Sequence, residues 1–271
     1  MSLALCRYAG SKAGHIPILL NLMLSRLATK PSRYITPTLG SGADLYAAIE
    51  SGIPEYLASD LNQHLVAAHQ GVKADPDSLI RWLAGLQSLS EDDCKKLYYS
   101  WRATPDFESA IAQAGRFLFL IACGVNGIWR ESKKSGYNIP FGKRFNFSPD
   151  KLRRCSEVLN KAQGQITTCD FADTLTQARP GDLIYIDPPF VDSTPMYLGP
   201  WKLDEHRRLF AAALNAKSLG ANVFISNSDK PGTRAIYQGH YHEIQVARTV
   251  EPGSKLKAAK RIPAQEVLIE I

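Results

Sequence analysis

The chain has 271 residues, a formal net charge of +6 and ordinary hydrophobic content, which suits one large globular domain or a large one with a smaller one. No apolar run reaches the roughly 18 residues of a membrane span, and the N-terminus lacks the basic, apolar, small-residue order of a secretory signal, so a cytoplasmic location is expected. The cysteines (Cys6, Cys94, Cys123, Cys155 and Cys169) are odd in number and never spaced as CxxC, which points away from a disulfide framework or zinc site and towards free thiols packed as small hydrophobes.

Ile16, Leu19, Leu20, Met23, Leu24 and Leu27 recur at helical spacing, with Pro17 at the start and Pro31 beyond the end, predicting a first helix. Residues 33–36 read as a short strand that runs into Pro37-Thr38-Leu39-Gly40-Ser41-Gly42 and a helix over 43–49. A turn at Gly52-Ile53-Pro54 leads to a second strand ending at Asp60, and another helix starts near Asn62. Strand, glycine turn, helix, strand and acid outline a nucleotide-binding α/β unit. Helices are expected over 79–89 and 108–124, whereas 126–147, rich in Gly, Asn, Pro and basic residues, reads as loops. Strands return at 165–169, 182–186 and 221–226, with a crossover helix over 203–219. The segments 242–250 and 267–271 read as an antiparallel pair joined by a basic loop over 251–264. The expected fold is thus α/β: a Rossmann-like sheet with helices on both faces, formed by 1–74 and 155–271. It closes in an antiparallel C-terminal hairpin, and 75–154 inserts a small, mostly helical subdomain.

Charge is uneven. Between Arg130 and Arg154 eight Lys/Arg face two acids, an excess equal to that of the whole chain. A second basic cluster holds Arg248, Lys255, Lys257, Lys260 and Arg261. Such concentration is the footprint of a polyanionic partner or, more plainly, a solvated basic face.

Three motifs carry chemistry. Asp187-Pro188-Pro189-Phe190 follows an apolar strand. Its prolines fix the backbone and lack N–H donors, leaving carbonyls free to accept. Asp187 accepts too, and Phe190 offers a flat face, so the set suits a planar heterocycle bearing an amine. By itself the tetrapeptide reads equally well as a rigid turn with a buried Phe. Leu39-Gly40-Ser41-Gly42 lets a ligand approach the backbone, but Leu45 stands where a dinucleotide fingerprint needs its third glycine, which disfavours NAD. Asp60, about 20 residues on, is placed to bind ribose hydroxyls or, alternatively, to cap a helix. Arg7-Tyr8-Ala9-Gly10-Ser11-Lys12 puts a cation before the first helix, where Lys12 either meets a carboxylate such as a cofactor's amino-acid end or is a plain surface lysine. The histidines show no metal spacing and read as surface or packing residues, and no metal is expected.

These residues resemble the Dam-type DNA adenine methyltransferases (class alpha, D12 class), over nearly the whole chain. Arg7 to Lys12 looks like [RKW]-[YW]-A-G-G-K, Leu39 to Gly42 like the end of E-P-F-x-G-x-G, and Asp60-Leu61-Asn62 like D-x-N. Asp170-Phe171 looks like the D-F before the catalytic strand, and Asp187 to Phe190 like D-P-P-[YF]. The most specific match is Asn126-Gly127-Ile128-Trp129-Arg130 with Gly136-Tyr137-Asn138-Ile139-Pro140-Phe141-Gly142, similar to N-G-x-x-R…G-x-[FY]-N-x-P-[FY]-G. Departures are Ser11 for a glycine, Thr36-Pro37-Thr38 for E-P-F, Ile121-Ala122 for the frequent Asn-Arg or Asn-Lys, and Phe190 for the commoner tyrosine.

The resemblance implies a methyl transfer from S-adenosyl-L-methionine, leaving S-adenosyl-L-homocysteine, to adenine N6 in double-stranded DNA. Tyr8, Gly10, Lys12, Leu39, Gly40, Ser41, Gly42, Asp60, Asp170, Phe171 and Asp187 would bind the cofactor. Asp187, Pro188, Pro189 and Phe190 would carry catalysis. Asn126, Ile128, Arg130, Lys133, Lys134, Asn138, Pro140, Lys143 and Arg144 would contact DNA. Arg130 would read a guanine, with Ile128 and Pro140 near a thymine methyl, so that GATC is the expected site. The chain is expected to be monomeric in solution. N4-cytosine methylation needs the same geometry, although such enzymes more often carry Ser at position 187. A catalytically weak DNA-binding relative is the other alternative.

Overall fold

The computed structural model describes residues 2–104, 107–132, 134–191, 201–249 and 261–271, with the side chains of 246–249 and 261–265 left aside. In chain order the elements are Ile16–Ser25 (α1), Arg33–Thr36 (β1), Ala43–Glu50 (α2), Glu55–Asp60 (β2), Gln63–Ala74 (α3), Pro76–Gln87 (α4), Glu91–Ala103 (α5), Ala110–Cys123 (α6), Glu131–Ser132 (β3), Gly136–Tyr137 (β4), Pro149–Leu159 (α7), Gln163–Thr168 (β5), Phe171–Leu175 (α8), Leu183–Ile186 (β6), Leu203–Ser218 (α9), Asn222–Ser228 (β7), Pro231–Ile236 (α10), His240–Thr249 (β8) and Arg261–Glu270 (β9). Seven strands form one sheet in the order β5-β2-β1-β6-β7-β9-β8. The first five are parallel, β9 runs antiparallel to β7, and β8 pairs antiparallel with β9.

Strand side chains alternate faces, and each face has its own core. Tyr34, Leu183, Tyr185 and Phe224 pack with α1, α2, α3, α6 and α7. Their neighbours Ile35, Ile184, Ile186, Val223 and Ile225 pack with α8 and α9. Burial on both sides is why β1 and β6 are apolar or fully covered along their whole length. The chain leaves β1 towards β2 on one side and returns to β6 on the other. The β1/β6 boundary is therefore the switch point, where α/β sheets open a crevice at the carboxyl ends of their strands.

Several elements differ from expectation. α5, α7, α8 and α10 are additional helices, and α7 spans the junction expected at 154/155. Within the segment expected to be loops, β3 and β4 form a short hairpin. β9 begins at Arg261, so its first residues extend the expected antiparallel pair into part of the expected basic loop. No helix among the described residues is long and apolar enough to cross a membrane.

Candidate active site

A cleft opens at the ends of β1, β2 and β6. Tyr8, Gly10, Lys12, Leu39, Gly40, Ser41, Asp60, Phe171, Asp187 and Pro189 all line it, joined by Thr38, Asp44, Asn62 and Trp201. Residues far apart in the chain thus converge at the switch point.

The glycine turn is held from behind. Gly40 and Gly42 have φ of +49° and +74°, the left-handed region that favours glycine. At Gly42 a Cβ would also come within 2.7 Å of the His69 ring. His69, buried on α3, donates from Nε2 to the Gly40 carbonyl at 3.0 Å, so its Nδ1 accepts from the Tyr46 hydroxyl at 3.3 Å. Burial lowers its pKa to about 4, which keeps the ring neutral and this tautomer in place. In front of the turn, the Gly40 N–H donates to Asp60 Oδ2 and the Asn62 N–H to Asp60 Oδ1, at 3.0 and 2.9 Å. Burial raises the Asp60 pKa against these two bonds. The helix cap is Asn62, whose side chain accepts from the His64 and Leu65 N–H groups and donates to the Tyr8 hydroxyl. Asp60 is thereby left facing the cleft. A ligand with vicinal hydroxyls fits here, because each carboxylate oxygen has a second lone-pair direction.

The catalytic segment is fixed at both ends. The Asp187 N–H donates to Thr38 Oγ1 at 3.0 Å, and the Val191 N–H to the buried Asn227 Oδ1 at 3.1 Å. Lys12 Nζ lies 2.9 Å from Glu266, 3.5 Å from Asp187 and 4.2 Å from the Phe190 ring centre. Lys12 therefore meets carboxylates of the protein itself and sits over the aromatic at position 190. Burial pushes the Asp187 pKa up to about 7, Lys12 pulls it down, and Glu266 and Asp44 push it further up. Asp170 does not line the cleft. It caps α8 and accepts from both terminal nitrogens of Arg208, at 2.7 and 2.9 Å, which holds its pKa low. Arg208 in turn covers Phe171 at 4.0 Å. Ser11 bonds the Ser41 hydroxyl at 2.7 Å, and the Leu5 N–H donates to the Ser41 carbonyl, clasping the N-terminal segment to the glycine turn.

The recognition segment follows α6. Asn126 and Gly127 both have positive φ, 60° and 66°. The Gly127 carbonyl accepts from the Ala9 N–H at 2.9 Å, and a Cβ there would meet the Arg7 carbonyl at 2.5 Å. This turn therefore abuts the segment that carries Tyr8 and Lys12. Trp129 is buried, stacked on Tyr137 at 4.2 Å, and donates to Glu131 at 2.8 Å. Anchoring Trp129 turns Arg130 outward, where its Nε donates to Asn138 Oδ1 at 2.8 Å. Lys134, Pro140, Lys143 and Arg144 are exposed, while Asn126, Ile128 and Asn138 are half-buried. Lys133 and the basic side chains at 248, 255, 257, 260 and 261 lie outside the described residues. Asp44, His69, Asn227, Arg208 and Glu266 belong to no local motif. They reach the site through pairings as distant as Lys12 with Glu266. No group of three or more His, Cys, Asp or Glu among the described residues is placed to hold a metal ion.

The family model for D12 class N6 adenine-specific DNA methyltransferases matches residues 8–251. The type II methyltransferase M1.LlaDCHI of Lactococcus lactis subsp. cremoris is 24% identical over 97% of this chain and 93% of its own length. The DNA adenine methylase of Vibrio cholerae is 28% identical over 80% of each chain. The retron Ec67 DNA adenine methylase of Escherichia coli is 28% identical over 88% of this chain and 83% of its own. With the glycine turn, Asp60 and Asp187 in one cleft and the match running over most of its length, the chain belongs to the D12 class N6 adenine-specific DNA methyltransferases.

Proposed function

We propose that the chain methylates adenine N6 within a short site of double-stranded DNA, GATC, after turning the target base out of the duplex, and that it acts as a monomer. The observation that carries this reading is the joining of two parts. The Asp187–Phe190 segment and the glycine turn share one cleft, and the Arg130 hairpin is tied to that cleft through the Gly127–Ala9 bond. In this reading the part of the chain from 75 to 154 reads the DNA, and the remainder carries the chemistry.

The residues present fit S-adenosyl-L-methionine. A side-chain-free turn at Gly40 and Gly42, an acid at Asp60 for the ribose, aromatic faces at Phe171 and Trp201, and an acid-rich cleft all suit a nucleoside that bears positive charge. When bound, it supplies an electrophilic methyl group. The protein's task is to make a poor nucleophile react. The N6 lone pair is delocalised into the adenine ring. Asp187 and the Pro188 carbonyl accept the two amine protons and draw that lone pair out of conjugation. Pro188 and Pro189 hold the two acceptors at fixed spacing, because their φ is locked. Phe190 stacks on the base, and Lys12 keeps Asp187 and Phe190 together. Positioning supplies most of the acceleration, and turning the base out costs about a few kcal/mol, offset by the pocket. Arg130, tethered by Asn138, is presented to a guanine edge in the major groove.

Methylome sequencing of DNA from cells expressing the protein tests base and context together. N6-methyladenine in GATC is expected. N4-methylcytosine would refute the adenine assignment, and another adenine context would refute the GATC assignment alone. Asp187→Ala is expected to bind S-adenosyl-L-homocysteine yet transfer no methyl group, and substantial retained transfer would refute the role of Asp187.

A further inference from the structure

The strand end at Thr36-Pro37-Thr38 lacks the acid and the aromatic of the E-P-F pattern that the chain otherwise resembles. A carboxylate nevertheless stands at this place. α2 starts directly after the Gly42 turn, so its first turn folds back over the end of β1. Asp44 in that turn is 8% exposed and lines the cleft. Its Oδ2 accepts from the Tyr34 hydroxyl at 3.1 Å. The Thr36 hydroxyl beside it is buried and has no hydrogen-bond partner among the described residues.

We propose that Asp44 is the acid that receives the α-ammonium of the methyl donor, taking over from the strand end a carboxylate that Thr36 has given up. This rests on the methyltransferase reading above and adds a residue to it.

Three observations carry the assignment. First, the cleft is rich in acid. Asp44, Asp60 and Asp187 line it against Lys12, and Lys12 is engaged by Asp187 and Glu266. Its occupant must bring positive charge, and the donor carries that charge on a sulfonium and an ammonium. Second, the other acids have partners or tasks. Asp60 is bridged by the Gly40 and Asn62 N–H groups, and Asp187 faces Lys12 beside the prolines. Among the described residues no Lys, Arg or His forms an ion pair with Asp44. Third, only the ammonium matches the chemistry of Asp44. A carboxylate has about four lone-pair sites, and among the described residues the one side chain hydrogen-bonded to Asp44 is Tyr34, on Oδ2. An ammonium has N–H groups to donate, whereas a sulfonium has none. Burial pushes the Asp44 pKa up to about 6, against the Thr36 and Tyr34 hydroxyls and the local N–H groups. A buried acid in that condition gains most from an incoming cation.

The test is isothermal titration of the full chain and of Asp44→Asn with S-adenosyl-L-homocysteine and with 5′-methylthioadenosine, which lacks the amino-acid end. Asparagine keeps the shape and the acceptor for Tyr34, and removes the charge. The expected result is S-adenosyl-L-homocysteine binding weakened on the order of 10- to 100-fold, with 5′-methylthioadenosine binding unchanged. Equal S-adenosyl-L-homocysteine affinity in the two proteins would overturn the assignment alone. So would a parallel loss of both ligands, because it would mark a structural role. A wild-type chain that bound neither ligand would overturn the methyltransferase reading and this assignment with it.

Discussion

Asp187→Asn should abolish methyl transfer and, at pH 8, make the protein more stable. The folded protein holds the Asp187 proton at about 7, against an ordinary 3.8. A carboxyl whose folded pKa is raised contributes stability that is complete below about 4 and is lost as pH climbs through about 7. At pH 8 the wild-type protein therefore carries an ionised group that its surroundings oppose. From 3.8 to about 7 the penalty is at most roughly 4 kcal/mol, at about 1.36 kcal/mol for each pH unit. A fifth of the side chain remains exposed (20%), so solvent trims this to about 1–3 kcal/mol. Asparagine escapes the penalty and is nearly the same shape, and Lys12 keeps Glu266 as a partner at 2.9 Å. For a chain of this size that gain is roughly 2–10 °C in Tm. The measurement is thermal or urea unfolding of both proteins from pH 5 to 8. The advantage of the variant should fall by more than half by pH 5. A difference that did not vary with pH, or a variant less stable at pH 8, would refute the reasoning. The same protonation predicts that wild-type transfer at subsaturating cofactor declines as pH falls below about 7, since only the ionised carboxyl accepts both ways.

Thr38→Val removes the acceptor of the Asp187 N–H at nearly constant volume. Single-turnover transfer with saturating DNA and cofactor should slow about tenfold, the effect of leaving a part-buried donor unpaired, and an unchanged rate would show that the bond does not orient the carboxylate. Asn138→Ala frees the Arg130 side chain. Discrimination between duplexes with and without the target guanine, read as a ratio of kcat/KM, should drop up to about tenfold, whereas Arg130→Ala should lose roughly 10- to 100-fold. Equal ratios for Asn138→Ala and wild type would rule out the tether. Gly127→Ala forces a Cβ to within 2.5 Å of the Arg7 carbonyl at φ +66° and should cost about 1–3 kcal/mol. Melting should report that loss, and titration with S-adenosyl-L-homocysteine should report weaker binding, because Arg7 leads into Tyr8 and Lys12; a melt matching wild type would contradict the close approach.

The parts of this fold that could be read from sequence are those where one short stretch holds its own signal. β1 is bounded as expected because Arg33–Thr36 is a compact run closed by Pro37. The same holds for the glycine turn and for Asp60, which sit at strand ends. α5 escaped because its apolar face is sparse. It buries only Cys94 and Tyr98, and its helical signal lies instead in the Ser90 cap and the acids Glu91, Asp92 and Asp93. α7 likewise announces itself by Ser148 and Pro149 at its start, just beyond the stretch over 126–147 that reads as loops. β9 begins early because Pro263 suggests a break. Before Glu266, however, β9 pairs only with β8 among the described residues, so no second ladder needs the missing N–H. Site residues such as His69, Asn227 and Glu266 were illegible for another reason. Each acts across the fold, and a lone His, Asn or Glu in an apolar stretch reads the same whether it braces a turn or merely fills the core.

The departures from the family pattern are better understood together than singly. Three of them, Ser11, Thr36 and Thr38, bring a hydroxyl, and the hydroxyls of Ser11 and Thr38 have partners inside the same cleft. Ser11 bonds Ser41. Thr38 takes the Asp187 N–H. Thr36 is buried with its hydroxyl unpaired among the described residues, and Tyr34 holds Asp44. Ser11 thereby ties the cofactor turn to the N-terminal segment, and Thr38 steadies the catalytic acid. The glycine turn, the N-terminal clasp and the Asp187 backbone thus form one hydrogen-bonded unit that retains the aspartate, the prolines and an aromatic face. That is the arrangement expected of a rebuilt methyl-transfer site rather than of a DNA-binding remnant.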